Sequence, residues 1–372
     1  MAYRLMDGMH RYGRLLWQFA SHGAHRFAVI EGNANCNRRC PYCAVPQRYV
    51  REGELTVRET FQVVDWLWNQ GYSLITWLGG EPLADYVTEE GITFLDHTLE
   101  VVRYATRKGM VVNVTTNGDY ATRDIVEALE RASLHSLTLS LHTYTPQGLD
   151  HLIDVGRMAA AARIIPTVQA ILTRQRAGCI PAVAAKVVQN GIPFGVGIVQ
   201  EKGGGFSKPG DRSLPTVEQQ SQVLSALRHL KAFGFVRNNA NYLAGATGFY
   251  PNGWVCDPDR DTFIHIGAGG TVDVCSDTRT ELKIGDIQTL RSDKWRESKR
   301  DRVLACSKCL YHCYYEAETP ALIQDIPTAA VALLIRAGGA GLAEKWGQYA
   351  VAMTRRSHTS VDWDLDFSVG IP

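Results

Sequence analysis

Cys36, Cys40 and Cys43 stand at C-x3-C-x2-C spacing in the stretch NANCNRRCPYCAV, and thiols this close together suit a metal. Four thiolates close a [4Fe–4S] cluster, so three leave one iron with an open coordination position where a small molecule can bind. Zinc is the competing occupant, but a structural zinc site takes four protein ligands, commonly as paired C-x2-C knuckles. Here the second pair would have to come from far along the chain. The spacing favours an open-sided cluster over zinc and over three buried thiols.

A second landmark follows. Ser73–Leu78, SLITWL, reads as a short buried strand running into Gly79-Gly80-Glu81-Pro82. Paired glycines let a backbone bend tightly and approach a ligand closely. Alone, GGEP would be an ordinary strand-to-helix turn. The cysteine triad, Tyr42 just before its third cysteine, and GGEP at the end of the next strand together resemble the radical S-adenosylmethionine superfamily. The resemblance implies that S-adenosylmethionine fills the open iron position through its amine and carboxylate. Reductive cleavage then yields a 5′-deoxyadenosyl radical, chemistry that belongs to the cofactor rather than to side chains. It also implies that Tyr42 stacks on the adenine and that Gly79, Gly80, Glu81 and Pro82 line the amine. A partner such as flavodoxin or ferredoxin would supply the electron.

The elements that must position these residues repeat a strand-then-helix rhythm. Apolar runs predict strands at Phe27–Glu31, Leu74–Leu78, Met110–Thr115, Ser136–Leu141, Ile165–Leu172 and Pro193–Val199. Amphipathic segments predict helices at Val57–Asn69, Leu95–Lys108, Thr122–Ala132 and Pro181–Asn190. Such alternation indicates βαβ units and a parallel sheet. It fits the family's α/β fold, a partial (β/α)6 TIM-like barrel whose sites form at the C-terminal ends of strands. The cysteine loop follows strand one, GGEP ends strand two, and Thr115-Thr116-Asn117-Gly118 ends strand three. Thr116 and Asn117 are thereby candidate cofactor contacts. Ser140 matches the family's strand-four residue near the ribose and carboxylate. His142 stands where many relatives carry an acidic residue, and it is either a candidate acid or base or a strand-end polar group. Cys179 falls on the loop after strand five, as a buried hydrophobe or an active-site thiol. Glu201, Lys202 and Gly203–Gly205 follow strand six as a flexible loop, and residues 206–216 read as a linker into a helix at Val217–Phe233.

The C-terminal third holds Cys256, Cys275, Cys306, Cys309 and Cys313. FIHIGAGGTVDVC reads as a hairpin turning at Gly269-Gly270, and C-x13-G-x4-C is followed by C-x2-C. This arrangement resembles the auxiliary-cluster modules called Twitch and SPASM, the shorter Twitch form suiting five cysteines. The resemblance implies one auxiliary [4Fe–4S] cluster on Cys256, Cys275, Cys306 and Cys309. Structural zinc on the same four thiolates is the alternative. Cys313 is a spare thiol, an alternative ligand or a reagent.

The expected organisation is an amphipathic helix over 1–26, the barrel over 27–235, the auxiliary module over 236–316 and a helical extension over 317–372. That extension carries helix-like segments at Ala321–Ala337 and Gly341–Thr354. A net charge of +1 gives no basic footprint for nucleic acid. No apolar run approaches the ~20 residues of a membrane span, and no signal-peptide core is present. Nine cysteines clustered in this way suit metal or redox sites in the cytoplasm better than disulfides. With only 26 residues before the first strand, a peptide-binding module does not fit there, so a small polar substrate is expected. The expected reaction is dehydrogenation or epimerisation of an aminoglycoside, aminocyclitol or nucleoside sugar carbon in natural-product biosynthesis, with Cys313 or Cys179 returning hydrogen in the epimerase case. Decarboxylation of a sugar or nucleoside uronic acid and modification of a ribosomal peptide are the alternatives.

Overall fold

Phe27–Glu31 (β1), Leu74–Leu78 (β2), Val111–Thr116 (β3), Ser136–Leu141 (β4), Ile165–Leu172 (β5) and Phe194–Ile198 (β6) pair in chain order as parallel neighbours. The architecture is that of a computed structural model, which describes residues 18, 26–40, 43, 54–199, 214–249, 255–276, 278–306, 312–321, 323–357, 361 and 363. The expected helix over 1–26 lies outside these residues, apart from Gln18 and Arg26, as do Tyr42, Glu201, Lys202, Gly203–Gly205 and Cys309.

The strands alternate between two faces. Leu137, Leu139 and Leu141 of β4 are buried in the helix-covered core, whereas Ser136, Thr138 and Ser140 line the other face. The covering helices are Val57–Asn69 (α1), Phe94–Arg107 (α2), Arg123–Arg131 (α3), Pro146–Ala161 (α4) and Ile180–Gln189 (α5). Threonine opens the first four: Thr56, Thr93, Thr122 and Thr145 each accept a bond from a first-turn backbone N–H. Thr56 completes a capping box with Glu59. The sequence reading omitted α4, although its Leu149, Leu152, Ile153 and Gly156 share one helical face. Its glycine faces Ile192, whose Cδ1 would have to shift from 2.7 Å to admit a Cβ.

Val217–Ala232 (α6) and Ala240–Phe249 (α7) precede the hairpin Phe263–Ile266 (β7) and Val272–Asp273 (β8). The turn is as expected, with Gly270 at φ +75° and its N–H bonded to the Gly267 carbonyl at 2.8 Å. The placement was not expected. β7 pairs parallel with β1, giving one eight-stranded sheet ordered β6-β5-β4-β3-β2-β1-β7-β8. The hairpin therefore continues the barrel sheet rather than standing apart from it.

Ile284–Ile287 (α8), Asp293–Ala305 (α9) and His312–Glu318 (α10) follow, then Ile326–Arg336 (α11) and Ala340–Ser357 (α12). α11 starts five residues later than the apolar pattern suggested, because Pro327 suits only a first helical turn. α12 lies close on α5, where a Cβ on Gly347 would stand 1.9 Å from the Val188 carbonyl oxygen. Among the described residues, no helix is long and apolar enough to cross a membrane.

Candidate active site

β1 ends at Glu31, and the chain passes through Gly32–Asn35 into Cys36. The GGEP turn is pressed against that limb. Gly79 and Gly80 take φ of +107° and +45°, and the Glu81 N–H donates to the Asn35 carbonyl at 2.7 Å. A Cβ on Gly80 would lie 1.8 Å from that same oxygen and 2.5 Å from Asn33 Oδ1. The sequence suggested approach to a ligand as the reason for these glycines. In the structure they admit a neighbouring stretch of the chain itself.

Glu81 is 1% exposed, and its carboxylate accepts from the Thr116 hydroxyl at 2.5 Å, the Asn117 N–H at 2.8 Å and the Leu83 N–H at 3.1 Å. Burial raises its pKa, and these three hydrogen bonds pull the other way. A carboxylate has about four acceptor positions, so one is left for a further donor such as an ammonium group. Thr116 and the Asn117 backbone thus act on Glu81. The Asn117 side chain instead donates to Asn37 Oδ1 at 2.7 Å and lies 3.9 Å from Cys36 Sγ.

Residues missed by the sequence reading complete the cradle. Arg38 grips Asp119 with two bonds, Nε to Oδ2 at 2.7 Å and Nη2 to Oδ1 at 2.5 Å, and reaches the Thr143 hydroxyl at 2.8 Å. Asn37 adds a bond to Asp119 Oδ2 at 2.7 Å. The Arg38 guanidinium holds the Asp119 carboxyl below its ordinary range, with Asn37 assisting and burial opposing. The cysteine loop is thereby fastened to the ends of β2, β3 and β4.

Cys36, Cys40 and Cys43 are half-buried. Burial pushes the Cys36 thiol up, while the Arg38 N–H, 3.4 Å from its sulfur, favours thiolate. Among the described residues no three His, Cys, Asp or Glu side chains converge into a finished ligand set, and Tyr42 and residues 44–53 lie outside them. The donor chemistry nevertheless fits an iron–sulfur cluster: three thiols on one strand-end loop, with backbone and amide N–H groups near the first sulfur.

Below the loop, the inner faces of β3 and β4 carry uncharged polar side chains. Ser136 and Thr138 donate to Asn113 Oδ1 at 2.9 and 3.0 Å, and Asn113 Nδ2 reaches Thr76 and Thr115 at 3.3 and 3.2 Å. Ser140 sits above them, in register with Gln169 of β5, which is itself opposite Gly195 of β6. The missing side chain at 195 is what admits the Gln169 amide, since a Cβ there would be 2.2 Å from Oε1.

Around the mouth, burial and the charges of Arg38 and Arg176 push His142 down to about 4, so it is a neutral imidazole at pH 7. In that form one ring nitrogen donates and the other accepts, and the imidazole is a weaker base than an exposed one. Arg176, which the sequence reading passed over, is 1% exposed with its guanidinium 4.6 Å from the Tyr144 ring centroid. Cys179 donates to the Arg176 carbonyl at 3.2 Å, and burial pushes its thiol up to about 11. Cys313 opens α10 beside His312, with Sγ 3.3 Å from Nε2. The His312 ring lies against Gly197 of β6, 3.2 Å from where a Cβ would stand, and burial holds it neutral at about 4. Of the second cysteine set, Cys256 and Cys275 add to the burial that raises the pKa of Tyr314, whereas Cys306 is exposed at the C-cap of α9.

Between the two cysteine-bearing segments, His265 of β7 is fully buried, with Nε2 3.0 Å from Glu31 Oε1 and Nδ1 3.5 Å from Asp273 Oδ2. Burial favours its neutral form, but Glu31 and Asp273 outweigh burial and raise its pKa to about 9. A group raised above its unfolded value of ~6.5 stabilises fully below that pH and loses the contribution as pH rises through the folded value. The melting temperature should therefore fall between pH 6.5 and 9.5 with a steeper slope in wild type than in His265→Gln. Equal slopes would show that the imidazolium is not the group responsible.

Residues 30–178 match the Radical SAM superfamily, a range containing the cysteine loop, the GGEP turn and the ends of β3 and β4. A 119-residue segment is 32% identical to the AdoMet-dependent heme synthase of Methanosarcina barkeri, covering 32% of this chain and 31% of that protein. A 164-residue segment is 27% identical to the PqqA peptide cyclase of Rhodopseudomonas palustris, covering 41% of each chain. The aligned segments thus span less than half of these curated relatives. Streptococcus suis SuiB, in its crystal structure bound to S-adenosylmethionine, shares the fold at a TM-score of 0.55 and 15% identity, over 82% of this chain and 77% of that one. The chain carries a radical SAM domain folded as a TIM-like partial barrel.

Proposed function

We propose that this chain is a radical SAM enzyme that abstracts hydrogen from a peptide. The observation that carries the reading is a three-thiol loop, fastened by Arg38–Asp119 and Glu81–Thr116, beside the uncharged polar inner faces of β3 and β4. Bound at those thiols, the cluster and S-adenosylmethionine supply a carbon radical able to remove a hydrogen atom. Ser140 and Gln169, register partners on β4 and β5, carry a hydroxyl and an amide that suit backbone amide groups of a substrate. A peptide is preferred to the small sugar-like substrate expected from sequence, which the similarity to PqqA peptide cyclases leaves without support. Cys256, Cys275, Cys306 and Cys309 are the proposed ligands of one auxiliary cluster, with a one-electron protein donor as partner. Cys313, beside His312 and β6, is the better placed of the two spare thiols to face a substrate radical. Cys179 donates to the Arg176 carbonyl, and burial pushes its thiol up to about 11.

The test is anaerobic reconstitution with iron, sulfide, S-adenosylmethionine and dithionite. Formation of 5′-deoxyadenosine without substrate establishes the cofactor chemistry. Synthetic peptides from open reading frames beside its gene, deuterated at candidate carbons, should then pass deuterium into 5′-deoxyadenosine. Transfer from deuterated aminocyclitols, with none from peptides, would restore the small-molecule reading.

A further inference from the structure

Glu31, His265 and Asp273 form a sealed ionic column with side chains 2%, 0% and 0% exposed. Each of its two ends lies a few residues before a cysteine. Glu31 closes β1, after which the chain runs to Cys36, and Asp273 closes β8, after which it runs to Cys275. Asp273 is fixed further by the Thr280 N–H at 2.8 Å and the Thr271 hydroxyl at 3.0 Å. A carboxylate beside each ring nitrogen favours a proton on both nitrogens.

Three buried charges are a poor way to gain stability. Desolvation costs several kcal/mol per ion, and a well-packed apolar side chain often serves as well. The sheet does not need the column to close, since β7 already pairs with β1 and β8 through backbone bonds. What backbone pairing specifies weakly is register, and a slip by one residue would turn every side chain of β7 to the other face. The best-attested use of a buried polar group is to fix such a register. His265 is opposite Val29, so its reach to Glu31 holds only in the observed alignment.

We propose that Glu31, His265 and Asp273 act as a positioning column that sets the Cys275 segment at one offset from the cysteine loop, holding the second cysteine set in register with the first. Glu31 and Asp273 then communicate only through His265. The consequence for an auxiliary cluster rests on the function proposed above, but the positioning itself does not.

The experiment alkylates the full-length, metal-free chain with iodoacetamide and follows each cysteine by mass spectrometry. Cys275 alkylation should quicken about tenfold in His265→Leu, as local opening exposes a half-buried thiol. Cys179 should react as in wild type even where the melting temperature falls with the loss of the imidazolium, which marks the opening as local to the second cysteine set. His265→Gln, which can donate to one carboxylate only, should fall between. Glu31→Gln should also quicken Cys275, and its effect combined with Asp273→Asn should be non-additive with His265 present and additive in His265→Leu. If His265→Leu fails to fold, the two carboxylate variants carry the same expectation, their non-additivity being lost in His265→Gln instead. Unchanged Cys275 reactivity, or additive carboxylate effects with His265 present, overturns the proposal. Thiol reactivity reads the column whether or not the wild type binds a second cluster, so the two readings fail separately.

Discussion

Alanine at Cys36, Cys40 and Cys43 together is expected to abolish 5′-deoxyadenosine formation and to reduce iron from about eight to about four per chain. The fold should survive, because the loop's attachments are made by other side chains. Arg38 holds Asp119 and Thr143, Asn37 holds Asp119, and the Glu81 N–H holds the Asn35 carbonyl. On the proposed auxiliary cluster, iron left after the triple substitution would be held by the C-terminal cysteines. Alanine at Cys256 and Cys275 should then remove the other half and leave 5′-deoxyadenosine formation measurable. Zinc in the C-terminal set would sink the auxiliary-cluster assignment. Retention of eight iron atoms after the triple substitution would sink the cysteine-loop assignment.

The order of the six barrel strands was legible because each is a short apolar run ended by glycine or a polar residue, and four of them fall on the expected residues. β7 beside β1 was not legible. FIHI shows that it is a strand, but nothing local tells a strand which edge of a distant sheet it will join. The same divide runs through the site. Cys36, Glu81 and Asn117 are read from spacing within single loops. Arg38, Asp119 and Thr143 meet across 81 and 105 residues of sequence, so no local pattern joins them. Gly195 and Gly197 give a weak signal that could have been used, since alternate glycines in a strand mark close approach from its inner face. The groups that approach are Gln169 and His312. His265 was unreadable for a related reason: an imidazole among apolar strand residues is ordinary until both carboxylates are seen beside it.

Alanine at Gly80 is expected to reduce 5′-deoxyadenosine formation at least as severely as alanine at Glu81, through a different defect. At Gly80, φ is +45° and the new Cβ would stand 1.8 Å from the Asn35 oxygen, so the cysteine limb must move. Loop displacement should appear as lost iron before any change in cofactor affinity. At Glu81, alanine strands the Thr116 hydroxyl and the Asn117 and Leu83 N–H groups, each buried donor costing about 1–3 kcal/mol when left unpaired. Iron should assemble there, with S-adenosylmethionine bound weakly. The variant that separates clamping from direct contact is Thr116→Val, which removes one of the three bonds and leaves Glu81 itself in place. If Glu81 works chiefly by being held, S-adenosylmethionine affinity in Thr116→Val should fall by roughly tenfold, the cost of about 1.4 kcal/mol. Should Thr116→Val bind S-adenosylmethionine as tightly as wild type while Glu81→Ala does not, the carboxylate's one remaining acceptor position is what matters, and the clamp serves only the fold.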